Sequence, residues 1–389
     1  MHRREIIQDT VYYAIGSLGA RVIGTIPFWY LYRIHGWNGA GSWSLTLTTA
    51  TAVALVYSAG IRQQMTRSYA HSATPAILQQ YFCYGLYCTI IGAVGTFIFS
   101  GSITITLLAV SISMWETFLH QFRCTLRANI ALRYTLYNAL GSACVTMLLF
   151  FFNSWSIHTY AVLYTLITGL LIFSSGYTYP MLPHNGDDIF RSIIINITGY
   201  PYALFLLLPW IMGYIDRALL ARHSLELVGK YAIYDLVTQV YQLGFAAPVI
   251  NSLKIRIFTL WKTDALIISP LYFYIKIMIL SLLLCSVFIS YFMYLLPPII
   301  LFLAPGITAL LGTLVYASSW HLQFAHKNLA LGIFACATCI IKTVFTIVLV
   351  PYRDIIGCFC ASSLAYAIII GVLWSRFYAS SPYVPASST

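Results

Sequence analysis

The sequence predicts an all-α polytopic membrane protein of about 12 transmembrane helices, arranged as two six-helix lobes. Hydrophobic residues make up 60% of the chain and charged residues only 8%, whereas about a quarter of the residues in a soluble domain are charged. The mean hydropathy is +0.81. Apolar residues occur in continuous runs long enough to cross a bilayer as helices. A transmembrane β-barrel would show short alternating segments instead, so this pattern excludes that class.

Hydropathy predicts twelve spans, separated by short polar segments. Their predicted ranges are 10–32, 44–61, 78–99, 102–122, 134–153, 157–177, 192–213, 228–250, 270–292, 296–318, 329–350 and 354–375. Prolines predict kinks in the first and seventh spans, because proline removes a helical N–H donor. These are Pro27, Pro201 and Pro209.

The longest break between spans, residues 177–191, contains prolines, an Asn-Gly pair and two adjacent acids, which are typical of a turn-rich linker. It divides the chain after six spans. We therefore predict an N-terminal lobe at 1–183 and a C-terminal lobe at 184–376. Residues 377–389 are predicted to form a flexible cytoplasmic tail.

The basic residues predict the orientation of the chain. With a cytoplasmic N-terminus, fourteen Lys and Arg residues fall on the cytoplasmic side, including Arg62 and Arg67 after the second span. Only five fall on the opposite side, which is the bias expected of an inserted membrane protein. Both termini are therefore predicted to be cytoplasmic. The formal charge of +11 follows from this topology and does not indicate nucleic-acid binding.

The two predicted lobes show a weak internal similarity. Arg33 precedes Gly41 at the exit of the first span, and Arg217 precedes Gly229 at the exit of the seventh. Six spans per lobe start both lobes on the same side, as in transporters built from parallel repeats.

Two basic residues fall inside predicted spans and are candidate substrate-binding cations. Arg21 lies near the middle of the first span, where insertion of an arginine costs roughly 2.5–3.5 kcal/mol. Ser17, Gly24 and Thr25 lie on the same helical face, so we expect this face to line a cavity. Lys342 is flanked by Thr338 and Thr346 at helical spacing. A structural ion pair, or a side chain that reaches the interface, is the alternative for each of them.

The segment 215–235 concentrates three acids and three bases in an otherwise apolar sequence. The topology predicts that Asp216 to Lys230 lie at the periplasmic mouth between spans 7 and 8, where water stabilises charge. Arg217 is a third candidate cation for substrate binding at this mouth.

Asp235 lies deeper, inside the eighth predicted span. Thr238, Gln239 and Gln242 share its helical face. It is the candidate for proton or cation coupling, because desolvation favours a neutral carboxyl group. A salt bridge to Lys230 or Arg217 is the alternative.

Glu116, His120 and Arg123 fall on one side of the helix that ends the fourth span. The acid is expected to pair with His120 or Arg123. This arrangement predicts either a structural contact or a cytoplasmic gate.

Signatures of catalysis and of metal or cofactor binding are absent from the sequence. It contains no Walker A, GxSxG or HExxH pattern. Cys336 and Cys339 form a CxxC inside an apolar run without further ligands, and most other cysteines also lie in apolar runs. We therefore expect no catalytic residues, no metal and no cofactor.

Several stretches carry a resemblance to a known family. These are YLYRIHGWNGAGSWSL at 30–45, Gly60 with Arg67, LRA at 126–128, and IDRALLARHSLELVGKYAIYDLVTQV at 215–240. The chain resembles Wzx-type O-antigen flippases of the multidrug/oligosaccharidyl-lipid/polysaccharide (MOP) exporter superfamily, over nearly its whole length.

The resemblance implies two six-helix lobes around a central cavity in the bacterial inner membrane. It implies transport of undecaprenyl-diphosphate-linked oligosaccharide to the periplasmic leaflet by ion-coupled alternating access, with the lipid bilayer and other membrane proteins of polysaccharide assembly as partners. A membrane O-antigen polymerase or glycosyltransferase, and a multidrug cation exporter, are the alternatives. The first of these usually has a large periplasmic loop, and the second favours acidic residues in the cavity.

Overall fold

A computed structural model describes residues 3–72, 74–125, 127–152, 156–176, 186–241, 300–319 and 328–378. Within these ranges, every regular element is an α-helix. The helices are α1 (Arg3–Gly24), α2 (Ile26–Ser72), α3 (Pro75–Ser100), α4 (Ile103–Cys124), α5 (Ala128–Phe151), α6 (Ile157–Ser174), α7 (Gly186–Leu206), α8 (Leu208–Ala221), α9 (Leu225–Tyr241), α10 (Ile300–Ser318) and α11 (Asn328–Tyr378). We call α1–α6 the first half and α7–α11 the second half.

Local sequence explains where helices begin and end, as the boundary between α3 and α4 shows. Pro75 lies in the first turn of α3, where its missing N–H has no helical acceptor to lose. α3 ends at Gly101, which has a φ of 63° and donates its N–H to the carbonyl oxygen of Phe97 at 2.9 Å. α4 begins after Ser102, whose hydroxyl accepts the N–H of Ile105 at 3.4 Å.

Several predicted span boundaries change in the structure. The first predicted span is divided at Thr25, next to Pro27, and the following kink lies at Gly36, with φ 61° and ψ −156°. The second predicted span, 44–61, is too short, because α2 continues to Ser72. Arg62 and Arg67 therefore lie within a helix and not in a cytoplasmic loop.

In the second half, two helix breaks lie where the sequence predicted them. The seventh span is split into α7 and α8 beside Pro209, and a kink at Asp354, with φ 44°, divides α11 between the two last predicted spans. The predicted linker is shorter than expected, because α7 already begins at Gly186. The ninth predicted span (270–292), and the tail apart from its first two residues, lie outside the described residues.

The helices are those of a multi-pass membrane protein. Six helical segments in the described part of the chain are long and apolar enough to cross a bilayer. Large apolar side chains are exposed on several of them, such as Phe99 (92%) and Phe151 (78%). Exposed surface of this kind suits contact with lipid chains.

Helix α2 is the main element that joins the two halves, beside a smaller contact between α3 and α7. It packs against α3 and α4 in the first half and against α7, α8 and α9 in the second. At Gly41, an added Cβ would lie 1.9 Å from the carbonyl oxygen of Leu225 and 3.1 Å from the nitrogen of Gly229. The backbones of α2 and α9 therefore touch here, because neither glycine carries a side chain. Gly41 and Gly229 are the glycines that the internal similarity pairs, and a pseudo-two-fold axis would bring such equivalents together.

A second close contact joins α2 to α7, nineteen residues further along α2. At Gly60, a Cβ would lie 1.9 Å from the carbonyl oxygen of Asn196, and at Gly199 it would lie 2.3 Å from the carbonyl oxygen of Gly60. The side chain of Asn196 accepts the N–H of Ile61 at 3.2 Å and donates to the carbonyl oxygen of Tyr57 at 3.0 Å. The two halves thus meet at Gly41 and again around Gly60 of α2.

Candidate functional site

A cavity of about 580 Å³ lies where the two halves face each other. It is lined by one face each of α1, α2, α4, α8 and α9, with further residues from α7, α10 and α11. Six of the lining residues carry a formal charge at neutral pH. These are Arg21, Arg62, Glu116, Arg123, Arg217 and Asp235.

The face of α1 that was predicted to meet a cavity does so. Ser17, Arg21 and Gly24 line it together with Thr25 at the break before α2. None of the ion pairs in the described part of the chain includes Arg21, and its buried Nε has no hydrogen-bond partner there. Arg21 is thus a cation at the cavity wall without a carboxylate bound to it, although the negative charge of Asp235 lies near enough to act on it.

Beside Arg21, four residues from three helices form what we call the Asp235 cluster. They are Ser44, Arg217, Asp235 and Gln239. Arg217 Nη2 lies 2.7 Å from Asp235 Oδ2, and Arg217 Nε donates to Ser44 Oγ at 2.9 Å. Gln239 also donates to Asp235. The cluster therefore ties α8 to α9 and to α2 in the other half.

The predicted location of Arg217 and Asp216 at a solvated mouth was wrong. Arg217 is 5% exposed and Asp216 is 1% exposed. Only the later charges of that segment meet solvent, where Lys230 pairs with Glu226 at 2.6 Å with both side chains at least 41% exposed. Of the two partners considered for Asp235, the structure has Arg217. The role of Asp235 in ion coupling stays a prediction.

Lys342 belongs to a different buried group. It is fully buried, pairs with Asp216, and donates to Ser362 Oγ at 2.7 Å. Asp216 also accepts the hydroxyl of Tyr231 at 2.7 Å. Lys342 does not line the cavity. The geometry thus corrects its assignment as a cavity cation, because its charge is neutralised by Asp216 between α8 and α11.

At the other end of the cavity, five residues of α2 and α4 form what we call the Glu116 cluster. They are Arg62, Thr66, Glu116, His120 and Arg123. Glu116 Oε2 lies 3.3 Å from Arg62 Nη1 and 3.1 Å from Arg123 Nη1. The expected pairing with Arg123 is present. His120 instead contacts Thr66, with 2.7 Å between Nε2 and Oγ1.

Arg62 is the cavity residue that sequence reasoning missed. Hydropathy places it in a loop, because the apolar window of the second span ends at residue 61. A usable signal is present, since Ala59, Arg62 and Thr66 share one helical face and all line the cavity. Extending the helical period beyond the apolar window would have placed Arg62 on the cavity-facing side of α2.

Taken together, the cavity wall carries four arginines and two carboxylates. Each carboxylate is bound by at least one arginine. The cavity therefore has an excess of positive charge, and the charge belongs to residues from both halves. Such a wall can hold an anion with several oxygen atoms, because guanidinium groups donate to these in a fixed fork geometry.

Comparison with known proteins gives the class of this fold. No protein-family profile and no curated protein sequence matches the chain. Its fold is similar to an outward-facing multidrug resistance MATE family transporter of the MOP superfamily, with 13% identity over 96% of this chain and 94% of that chain and a TM-score of 0.63. It is also similar to the ligand-bound MATE multidrug transporter DinF-BH, with 13% identity, 98% and 96% coverage and a TM-score of 0.69. It is similar as well to the MATE transporter ClbM in complex with Rb⁺, with 13% identity over 97% of this chain and 95% of that chain and a TM-score of 0.62.

The chain therefore has the helical fold of MATE transporters of the MOP superfamily, as the predicted fold class states. These structural neighbours are transporters and not enzymes.

Proposed function

We propose that this protein is a MOP-type exporter that moves undecaprenyl-diphosphate-linked oligosaccharide from the cytoplasmic to the periplasmic leaflet of a bacterial inner membrane. The observation that carries the proposal is the charge of the cavity, with four arginines against two carboxylates and Arg21 outside every ion pair of the described residues. Arg21 is partly buried, and no carboxylate among the described residues is bound to it. Such a cation is costly inside a membrane protein, so its presence in a cavity favours an anionic ligand.

The remaining cavity surface suits a sugar chain. Aromatic side chains from both halves line it, and rings of this kind pack against the apolar faces of sugars. They are Phe28, Trp43, Phe205, Trp210 and Tyr366. Hydroxyl and amide groups from Thr48, Thr51, Gln63 and Gln239 lie on the same wall. A cavity of about 580 Å³ is in the usual range for small-molecule sites. It would hold the diphosphate and part of the oligosaccharide, while the prenyl chain stays in lipid.

The Asp235 cluster offers a way to couple transport to an ion. A diphosphate at Arg217 would compete with Asp235 for the same guanidinium N–H groups. A carboxylate that loses its arginine inside a bilayer takes up a proton or another cation more readily. Asp235 is therefore our candidate for the coupling residue.

A multidrug cation exporter is the second candidate, because structural neighbours of this chain are described as multidrug transporters. Glu116 and Asp235 would be its cation-binding residues. In this chain, however, arginines already neutralise both. A membrane polymerase or glycosyltransferase is disfavoured, since the fold is that of transporters.

The proposal is tested with Arg21→Ala in a strain of the source organism that lacks the gene. We expect loss of surface polysaccharide and accumulation of lipid-linked repeat units, at a protein level equal to wild type. Arg33→Ala is the matched control, because Arg33 is exposed on α2 and does not line the cavity. Full surface polysaccharide with Arg21→Ala would rule out this function. Resistance to cationic drugs that depends on Asp235 would then favour the multidrug exporter.

A further inference from the structure

The Glu116 cluster contains an unusual arrangement of two cations around one oxygen atom. Arg62 comes from α2 and Arg123 from the last turn of α4, and both donate from Nη1 to the same atom, Glu116 Oε2. One carboxylate therefore serves two guanidinium groups, and the cluster keeps one excess positive charge. It lies at the cavity wall.

Arg62 also has donor capacity that the described part of the protein does not use. Its side chain is 9% exposed, and its Nε is buried without a hydrogen-bond partner in the described part of the chain. A buried donor left without an acceptor costs free energy. In a cavity wall, that cost is recovered when a ligand supplies the acceptor. Thr66, which contacts His120, provides a further polar group on the same face of α2.

We propose that Arg62 and Arg123 form an oxyanion-binding site for the diphosphate of the substrate, and that Glu116 occupies this site as an internal competitor. This inference rests on the proposed function for the identity of the ligand. A diphosphate has more oxygen atoms and more charge than a carboxylate. It can therefore engage Nε and the Nη groups of Arg62 and still reach Arg123.

Glu116 is held loosely enough to be displaced. Its contacts with the two arginines are 3.3 Å and 3.1 Å long, and its side chain is 33% exposed. Asp235, by contrast, lies 2.7 Å from Arg217, is 10% exposed and accepts a further hydrogen bond from Gln239. Charge-assisted hydrogen bonds are usually shorter than those of Glu116. An incoming anion would therefore replace Glu116 before it replaces Asp235.

The site is distinct from the one formed by Arg21 and Arg217. Arg217 contacts Ser44 of α2, while Arg62 lies 18 residues further along the same helix. At 1.5 Å per residue this separation is about 27 Å along the helix axis. One diphosphate cannot contact both groups, so the cavity has two successive anion sites. On the predicted topology, the Glu116 cluster is the one nearer the cytoplasm, where the substrate enters.

The test is binding of inorganic pyrophosphate to the purified full-length protein, measured by calorimetry. All variants carry Arg21→Ala, which weakens the other site, formed by Arg21 and Arg217. We expect Glu116→Gln to bind about tenfold more tightly, and Arg62→Gln and Arg123→Gln about tenfold more weakly. Arg127→Gln is the matched control, since Arg127 is exposed beyond the end of α4 and does not line the cavity. Unchanged or weaker binding with Glu116→Gln would overturn the role of Glu116 as competitor.

If Glu116→Gln does not fold, Arg123→Gln tests whether the site exists, because this variant leaves Glu116 paired with Arg62. Unchanged binding by that variant would overturn the site. Two further ligands, geranylgeranyl diphosphate and geranylgeraniol, show whether the site takes a lipid head group or free phosphate. Tighter binding of the prenyl diphosphate than of pyrophosphate, with no binding of the alcohol, supports the lipid-linked ligand. Equal affinity for pyrophosphate and the prenyl diphosphate would overturn the lipid-linked ligand. The proposed function is judged separately, by Arg21→Ala in cells.

Discussion

Arg217 of α8 and Asp235 of α9 form an ion pair across 2.7 Å, with side chains 7% and 10% exposed. The same guanidinium donates to Ser44 of α2 at 2.9 Å. A single pair therefore connects three helices and both halves of the molecule at the wall of the cavity. Because water reaches neither group well, each charge depends on the other for its stabilisation.

Replacing Asp235 with alanine is expected to lower the free energy of unfolding by about 3–5 kcal/mol, because Arg217 would be left buried without its carboxylate. Chemical denaturation in detergent micelles measures this change. Glu226→Ala is the control, since the Glu226–Lys230 pair is exposed and should contribute no more than about 1 kcal/mol. Equal effects of the two substitutions would show that the Arg217–Asp235 pair is well solvated.

Arg21→Leu is expected to separate stability from function. Arg21 has no ion pair among the described residues, so its removal eliminates a desolvation cost. The melting temperature should therefore stay unchanged or rise. Transport in reconstituted vesicles should be lost, because the free cation of the cavity is gone. A clear fall in melting temperature would instead identify Arg21 as a structural residue.

Lys342→Met alone is expected to destabilise the protein, because it leaves Asp216 buried without a counter-charge. Adding Asp216→Asn should restore most of the lost free energy of unfolding. A buried neutral amide with Tyr231 as partner costs far less than a buried charge. A double-mutant cycle on unfolding free energies measures this coupling. The double variant should bind pyrophosphate like wild type. If it folds but does not bind, Lys342 contributes to the site after all.

Gly41→Ala is expected to weaken the contact between the two halves, because its Cβ would lie 1.9 Å from the carbonyl oxygen of Leu225. The helices α2 and α9 would have to separate, with a lower melting temperature and reduced transport. Gly95→Ala is the matched control, since nothing lies within 4 Å of a Cβ at that helical position. There we expect unchanged or slightly higher stability, because alanine is the better helix former. Equal behaviour of both variants would contradict close packing at Gly41.

Part of the site could be predicted because it depends on one helix at a time. The face that carries Ser17, Arg21 and Gly24 follows from the helical period alone, and so does the proximity of Glu116 to Arg123. Arg62 was missed because hydropathy measures where a helix enters lipid and not where it ends. Helix α2 continues eleven residues beyond the predicted end of its span, and its polar turns face the cavity.

The sequence by itself determined that this is a multi-pass helical membrane protein with the fold class of MOP exporters, and that a membrane-embedded arginine marks a cavity. Composition and periodicity are sufficient for the membrane class and for the cavity-facing arginine, because a bilayer allows few ways to satisfy the backbone. The MOP fold class followed instead from the resemblance of particular stretches to that family. Only the tertiary structure decided which charges pair between different helices. Asp216 and Lys342 form an ion pair although they are 126 positions apart. Arg217, which was predicted at a solvated mouth, lies at the centre of a buried cluster. The physical reason is that ion pairing between helices depends on how each helix is rotated and packed, which no one-dimensional pattern contains.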